Sequence, residues 1–303
     1  MLKEYALQPE LLSSWSVCRD LSEKFGYGRG RVIARYPRRW ERMVLDALNV
    51  CMPVEKLKIV ERLTILKKFA LYPRHHEWDA EKAWLDNALA EHDKRPFFAI
   101  IAQENPDASA AVICQADLDE LEEPRWRAER QRRIERTATE MAACAETLLR
   151  NAKDILFVDP YFTPHDQRFK RPLQAFLQIV AQRPPGIPVA RIEIHTGHDD
   201  SAGTKSFFDA ECTRHLPSII PRGMTIRLIR WDRNYLHNRF ILTEYGGLKF
   251  ATGLDDHNGS ATRHDIVDLL EPEPYVQTWQ EYQRNSSHFP PPIEDDLIIE
   301  GIA

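Results

Sequence analysis

From Asp154 onward the sequence does not keep one periodicity for long. The β-rich runs DILFVDPYF, ARIEIHTG and MTIRLIRW alternate with the helical segments QRFKRPLQAFLQIVAQR and TKSFFDAECTRHL. They lead into Arg233–Leu270, where LHNRFILT and LKFAT flank Gly246-Gly247 as a hairpin and DIVDLL supplies a further strand. YVQTWQEYQRN, after Pro274, closes the pattern as a helix. Strands separated by helices need crossovers on both faces of a sheet, so the expected class is α/β, a mixed sheet between helical layers. Trp231, Phe240, Ile241, Leu242, Phe250 and Leu269 are expected on its buried faces. The tail after residue 289 begins with a triple proline, which forbids helix. It ends in an acidic-apolar run that either packs back or is offered to a partner.

The first 120 residues read differently, as a mainly helical module ending in a β-hairpin. Helices are expected over Pro9–Phe25, from Pro37, and over Val54–Ala70 with Leu57, Val60, Leu63, Ile65, Leu66 and Phe69 as the buried stripe. Another should follow an Asp79 cap. PFFAIIAQ and AAVICQA form the hairpin, joined through Asn105-Pro106. GYGRGR at 26–31 has the look of a phosphate loop but no apolar strand leading into it, so it reads as a basic turn. Arg29, Arg31, Arg35, Arg38, Arg39 and Arg42, with Tyr36 and Trp40 among them, read either as an anion-binding patch or as a solvated face. Nearby acids favour the latter. His75-His76 has no helical partner and reads as a surface pair.

At Pro124 an unbroken run without Gly or Pro begins, expected as one long helix reaching Ala152. Ile134, Ala138, Met141, Ala145, Leu148 and Ala152 form a small-residue seam able to serve a homodimer. The boundary between modules is thus expected between Gln115 and Arg125, giving domains 1–120 and 121–289 and a tail at 290–303.

The net charge of −5 provides no global basic field, so any nucleic-acid contact has to be local. No apolar stretch is long enough for a membrane span, and the N-terminus carries no export signal. Five scattered cysteines without ligand spacing suit a reducing cytoplasm and argue against structural zinc, and no cofactor is expected.

The chemistry concentrates at His237. An imidazole with a guanidinium two residues along a strand suits phosphate handling: the ring attacks phosphorus or passes a proton, and the planar fork holds phosphate oxygens. His237, Arg239 and Glu244, followed by Thr252, Gly253 and Asp255, resemble the His-x-Lys-x4-Asp and Gly-Ser-x-Asn motifs of the phospholipase D superfamily. The order of strands, hairpin and tryptophan-bearing helix is similar over roughly residues 125–288. The resemblance implies a phospholipase D-like α/β/α sandwich. It also implies metal-independent chemistry through a phosphohistidine, with His237 as nucleophile, Arg239 for the lysine and Glu244 for the aspartate. Thr252, Gly253 and Asp255 then stand where phosphate is bound, with His264 as a further candidate.

Asp255 is the departure that matters, because a carboxylate replaces an amide donor unless Arg263 or Arg239 neutralises it. Leu236-His237-Asn238-Arg239, Gly253-Leu254-Asp255 and Asp159-Pro160-Tyr161 are also similar to the non-catalytic phospholipase D-like domains at the carboxyl end of MIT-domain proteins. Two functions follow from the resemblance. One is a binding domain for a phosphate-containing or protein partner, of the kind found in bacterial defence systems. The other is a dimeric phosphodiesterase or nuclease, drawing a second histidine from a two-fold axis or from His165, His195, His257 or His264.

Overall fold

The computed structural model describes residues 1–74, 76–183, 188–198, 204–259, 261–284, 286–287, 292 and 296–303. The chain divides into two compact units, Met1–Arg130 and Gln131–Ala303. His75, and all of the triple proline except Pro292, lie outside the described residues. No described helix is long and apolar enough to cross a membrane.

The first unit runs β1 (Lys3–Leu7), α1 (Trp15–Lys24), β2 (Arg31–Ala34), α2 (Trp40–Ala47) and α3 (Pro53–Phe69). It continues with β3 (Leu71–Tyr72), α4 (Trp84–Lys94), β4 (Ala99–Ala102) and β5 (Val112–Cys114). All pairings are parallel, in the order β3-β2-β1-β4-β5. This corrects the expected helical module with a hairpin: β4 and β5 lie side by side but run the same way. Asn105 turns the connection, its side chain bonding both the amide and the carbonyl of Ser109. The two faces of this sheet carry separate cores. Tyr5, Leu7, Ile33, Ala99 and Ile101 pack against α1, α2 and α3, while Ala6, Ala34, Ile100 and Ala102 pack against Trp84 and Ala88 of α4. Helices on both faces are what an all-parallel sheet requires.

α3 buries Ile59, Leu63 and Leu66, whereas Leu57 of the expected stripe is 71 % exposed. The GYGRG segment is a tight turn, with Gly30 at φ 79° feeding β2. Trp126 fixes the end of the unit. It is fully buried between Tyr5 and Phe25, and Arg31 stacks on its ring and donates to its carbonyl. The run after Pro124 is therefore core of the first unit, not the start of a helix.

The second unit corrects the long helix further. It begins as β6 (Gln131–Glu135), turns at Thr137, and only then forms α5 (Ala138–Asn151). Thr137 accepts from the Glu140 amide, the N-cap that fixes the start of α5. Met141, Ala145, Leu148 and Ala152 of the expected dimer seam are buried inside the unit, where α5 packs on α6 (Gln167–Ala181).

The chain continues through β7 (Asp154–Val158), α6, β8 (Arg191–His198), α7 (Lys205–His215) and β9 (Thr225–Asp232). β10 (Arg239–Thr243), β11 (Gly247–Phe250), β12 (His264–Leu269), α8 (Pro272–Glu281) and β13 (Leu297–Glu300) complete it. The mixed sheet has the order β13-β9-β8-β7-β10-β11-β12-β6. β7, β8 and β9 are parallel and the other pairings antiparallel. The α/β class is as expected, and all six residues assigned to buried faces are buried. The tail packs back, since β13 adds an edge strand beside β9.

Candidate functional site

In the second unit the parallel strands progress from β7 through β8 to β9, and the chain then returns to the other side of β7 as β10. The carboxyl ends of strands flanking such a reversal form a crevice, the usual ligand position in open α/β sheets. The residues there are Asp159–Tyr161 after β7 and His237–Arg239 entering β10. The register pairs Phe240 with Val158, so Arg239 and Asp159 follow at the same edge and on the same face.

His237 is exposed and Arg239 half-buried. The Arg239 Nη1 group donates to the His237 carbonyl at 3.1 Å, while its Nε–H has no acceptor among the described residues. Tyr161, half exposed, has two guanidinium groups against its ring, Arg233 at 4.2 Å and Arg239 at 5.0 Å from the ring centre. This arrangement gives the crevice mouth two cations held by one aromatic ring.

Behind them the crevice is acidic. Asp159 is buried and accepts from the amides of Tyr161 (2.9 Å) and Leu254 (2.8 Å). Loss of water pushes its carboxyl up to about 6, against the pull of those two amides; Asp255 adds to the rise and Arg239 opposes it. Asp159 also lines a cavity of about 20 Å³ with Phe157, Phe162, Leu173, Phe176, Ile194 and Leu254. A Cβ at Gly253 would run into the Asp255 carboxylate and lie 3.5 Å from Asp159 Oδ2, so a larger residue there has to displace that carboxylate.

The raised carboxyl has a measurable consequence. Folded Asp159 holds its proton at a pH where the unfolded carboxyl, near pH 4, has lost it. Its contribution is therefore complete below about pH 4 and is lost as pH rises through 6, about 3 kcal/mol in all. A carboxyl carbon titration by NMR should give a midpoint near 6. Unfolding measured from pH 4 to 7 should show a decline that Asp159→Asn flattens.

Asp255 is neutralised by neither Arg263 nor Arg239, the expected partners. Arg136, buried just after β6, donates to Asp255 Oδ1 at 2.6 Å, and Arg168 stands 3.7 Å from Oδ2. Arg136 also donates to the carbonyls of Thr262 and Asp255, and its own carbonyl accepts from His257. Pro172 inside α6 has no amide hydrogen, so the Arg168 carbonyl four residues earlier is released from the helix. It accepts the Asp256 amide at 2.9 Å. Asp256 in turn lies 3.6 Å from Arg171. Arg136, Arg168, Arg171 and Asp256 were not singled out from the sequence. The only local signal was the Thr137-x-x-Glu140 cap, which marks residue 136 as lying outside the helix.

The remaining expected residues are scattered. Thr252 spends its amide and hydroxyl donors on Asp265 Oδ1, at 2.9 and 3.1 Å. Glu244 lies beyond the opposite end of β10 from His237, accepting the amides of Lys153 and Asp154 at the start of β7. His264 is exposed at the start of β12, two strands from β10 and opposite Glu135. His195 is buried: its Nδ1 accepts from the Trp231 indole at 2.9 Å, so its Nε2–H faces Glu193 at 3.2 Å. Burial lowers its pKa, which keeps the ring neutral. His165 is 3.6 Å from Glu211, and His257 Nδ1 accepts from the Gly259 amide.

No protein-family model matches the chain, and no curated protein matches it. Among solved structures it is similar to TrmBL2, an archaeal chromatin protein described as showing a novel mode of DNA binding. The identity is 10 %, the TM-score is 0.24, and the match covers 51 % of this chain and 54 % of that one. A likeness at that level carries no argument about fold or function.

Proposed function

We propose that the second unit is a phospholipase D-like binding domain without hydrolytic activity, which takes a phosphate-bearing partner at the crevice between β7 and β10. The observation that carries this reading is the buried ion pair of Asp255 with Arg136 at 2.6 Å. The position that offers an amide donor in the hydrolases is here an acid committed to internal structure. A second acid, Asp159, stands beside it. Arg239 and the exposed His237 stand at the mouth to meet a phosphate, the planar guanidinium of Arg239 being suited to its oxygens. A cytoplasmic setting and a role in a bacterial defence system accompany this reading through the family likeness.

The test is an assay of purified protein in EDTA on DNA, RNA and phospholipid. The reading requires no cleavage by the wild type and none gained by Asp255→Asn. Binding of a phosphate-bearing probe should weaken about tenfold in Arg239→Gln, with unchanged folding. Cleavage in EDTA that disappears in His237→Ala would establish instead the dimeric phosphodiesterase, working through a phosphohistidine. Binding only to a non-phosphorylated protein would replace the phosphate partner with a protein one.

A further inference from the structure

The arginine cluster of the first unit is not one patch once folded. Arg31 is buried and bonded to Glu120 and Trp126. Arg35 is paired with Glu41 at 3.1 Å, and Arg42 with Asp46 at 3.1 Å. Arg38 and Arg39 are exposed and meet no carboxylate among the described residues. They line an open groove of about 510 Å³ together with Arg35, Pro37, His76 and Trp78. That volume falls within the roughly 300–1,000 Å³ of small-molecule sites.

Three features make the groove a built one. It lies where the chain leaves β2 and β3, at the carboxyl edge of an all-parallel sheet covered on both faces. His76 holds its floor: Nε2 accepts the Arg38 amide at 3.0 Å, so Nδ1–H donates to the Arg74 carbonyl at 2.8 Å, and the neutral ring fixes the Pro37–Arg39 turn. Trp78 supplies an aromatic wall, edge-on to Tyr36 at 5.6 Å. Two uncommitted guanidinium groups beside an aromatic wall match a ligand carrying both a phosphate and an aromatic ring.

We propose that this groove binds a nucleoside phosphate, with Arg38 and Arg39 holding the phosphate and Trp78 bordering the base. The site is separate from the crevice in the second unit and does not depend on how that crevice functions. Arg35 stays partly neutralised by Glu41, so the site's positive charge rests chiefly on Arg38 and Arg39. One phosphate group therefore suits it better than an extended polyanion.

Full-length protein should be titrated with AMP, adenosine, inorganic phosphate and a single-stranded oligonucleotide, followed by calorimetry and by tryptophan fluorescence. AMP is expected to bind and adenosine not, and inorganic phosphate should compete with AMP. Arg38→Gln and Arg39→Gln should each weaken AMP about tenfold. Trp78→Phe should lower affinity and reduce the fluorescence change. Arg42→Gln, outside the groove, and Arg239→Gln, in the second unit, should leave AMP binding intact. Circular dichroism of each variant separates lost binding from lost folding, and for a variant that fails to fold, protection of the wild type by AMP in a thermal melt replaces it. Absence of AMP binding overturns the proposal. So does loss that is equal in Arg42→Gln, loss confined to Arg239→Gln, or binding of the oligonucleotide alone.

Discussion

Arg136→Ala is expected to remove about 3–5 kcal/mol from the stability of the second unit, the usual cost of stripping one partner from a buried ion pair. The Asp255 carboxylate would keep only Arg168, 3.7 Å away and partly exposed, while Asp159 stands on the other side of Gly253. The carbonyls of Thr262 and Asp255 would lose their guanidinium donors as well. Asp255→Asn should cost less than Arg136→Ala, because the amide oxygen still accepts from Arg136 and no carboxylate is stranded. A double-mutant cycle in urea, combining Arg136→Ala with Asp255→Asn, should recover part of the loss, with a coupling of about 0.5–3 kcal/mol. Strict additivity would show that the two residues do not act as a pair. The reading of Asp255 as a structural group would then fail, whatever the cleavage assays show.

The α/β order of the second unit was legible because its strands and helices carry opposite periodicities over adequate lengths. DILFV and RIEIH read as strands beside a helix whose Phe169, Leu173, Phe176, Leu177 and Val180 recur on one face. β6 was not legible: only Ile134 of QRRIE is buried, and an edge strand of charged residues has the composition of a helix. The parallel sheet of the first unit was hidden for a different reason. RVIA is buried at every position, LY is two residues long, and neither has room for alternation. His237 and Arg239 were visible as a motif, but what Asp255 does there depends on Arg136, 119 positions earlier. No local pattern could carry that, and the same limit explains Arg38 and Arg39. Their charge was plain in the sequence, but that Arg31, Arg35 and Arg42 are paired, while Arg38 and Arg39 meet no carboxylate among the described residues, is a tertiary fact.

In the first unit, Arg74→Ala should be as damaging as any single substitution. Its side chain is fully buried under α4, 3.0 Å from Glu4 of β1 and 2.9 Å from Glu91 of α4, with the Phe97 ring 3.8 Å from the guanidinium carbon. It also donates to the Arg95 carbonyl just past the end of α4. One guanidinium thus ties the sheet to the helix that covers that face. Removing it leaves two carboxylates, one of them buried, facing the same space, at a cost of about 3–5 kcal/mol. Against a total stability of roughly 5–15 kcal/mol for a domain, that loss leaves little margin. Urea unfolding followed by circular dichroism, compared with the wild type, would report it. The loss should come from the stranded charges rather than the missing volume. Combining Arg74→Met with Glu4→Gln and Glu91→Gln should therefore restore most of the stability, whereas Arg74→Met alone should remain close to Arg74→Ala. If Arg74→Met alone were as stable as the wild type, the triad would be packing and not electrostatics, and the attachment of α4 would rest on its apolar contacts through Trp84, Leu85, Ala88 and Leu89.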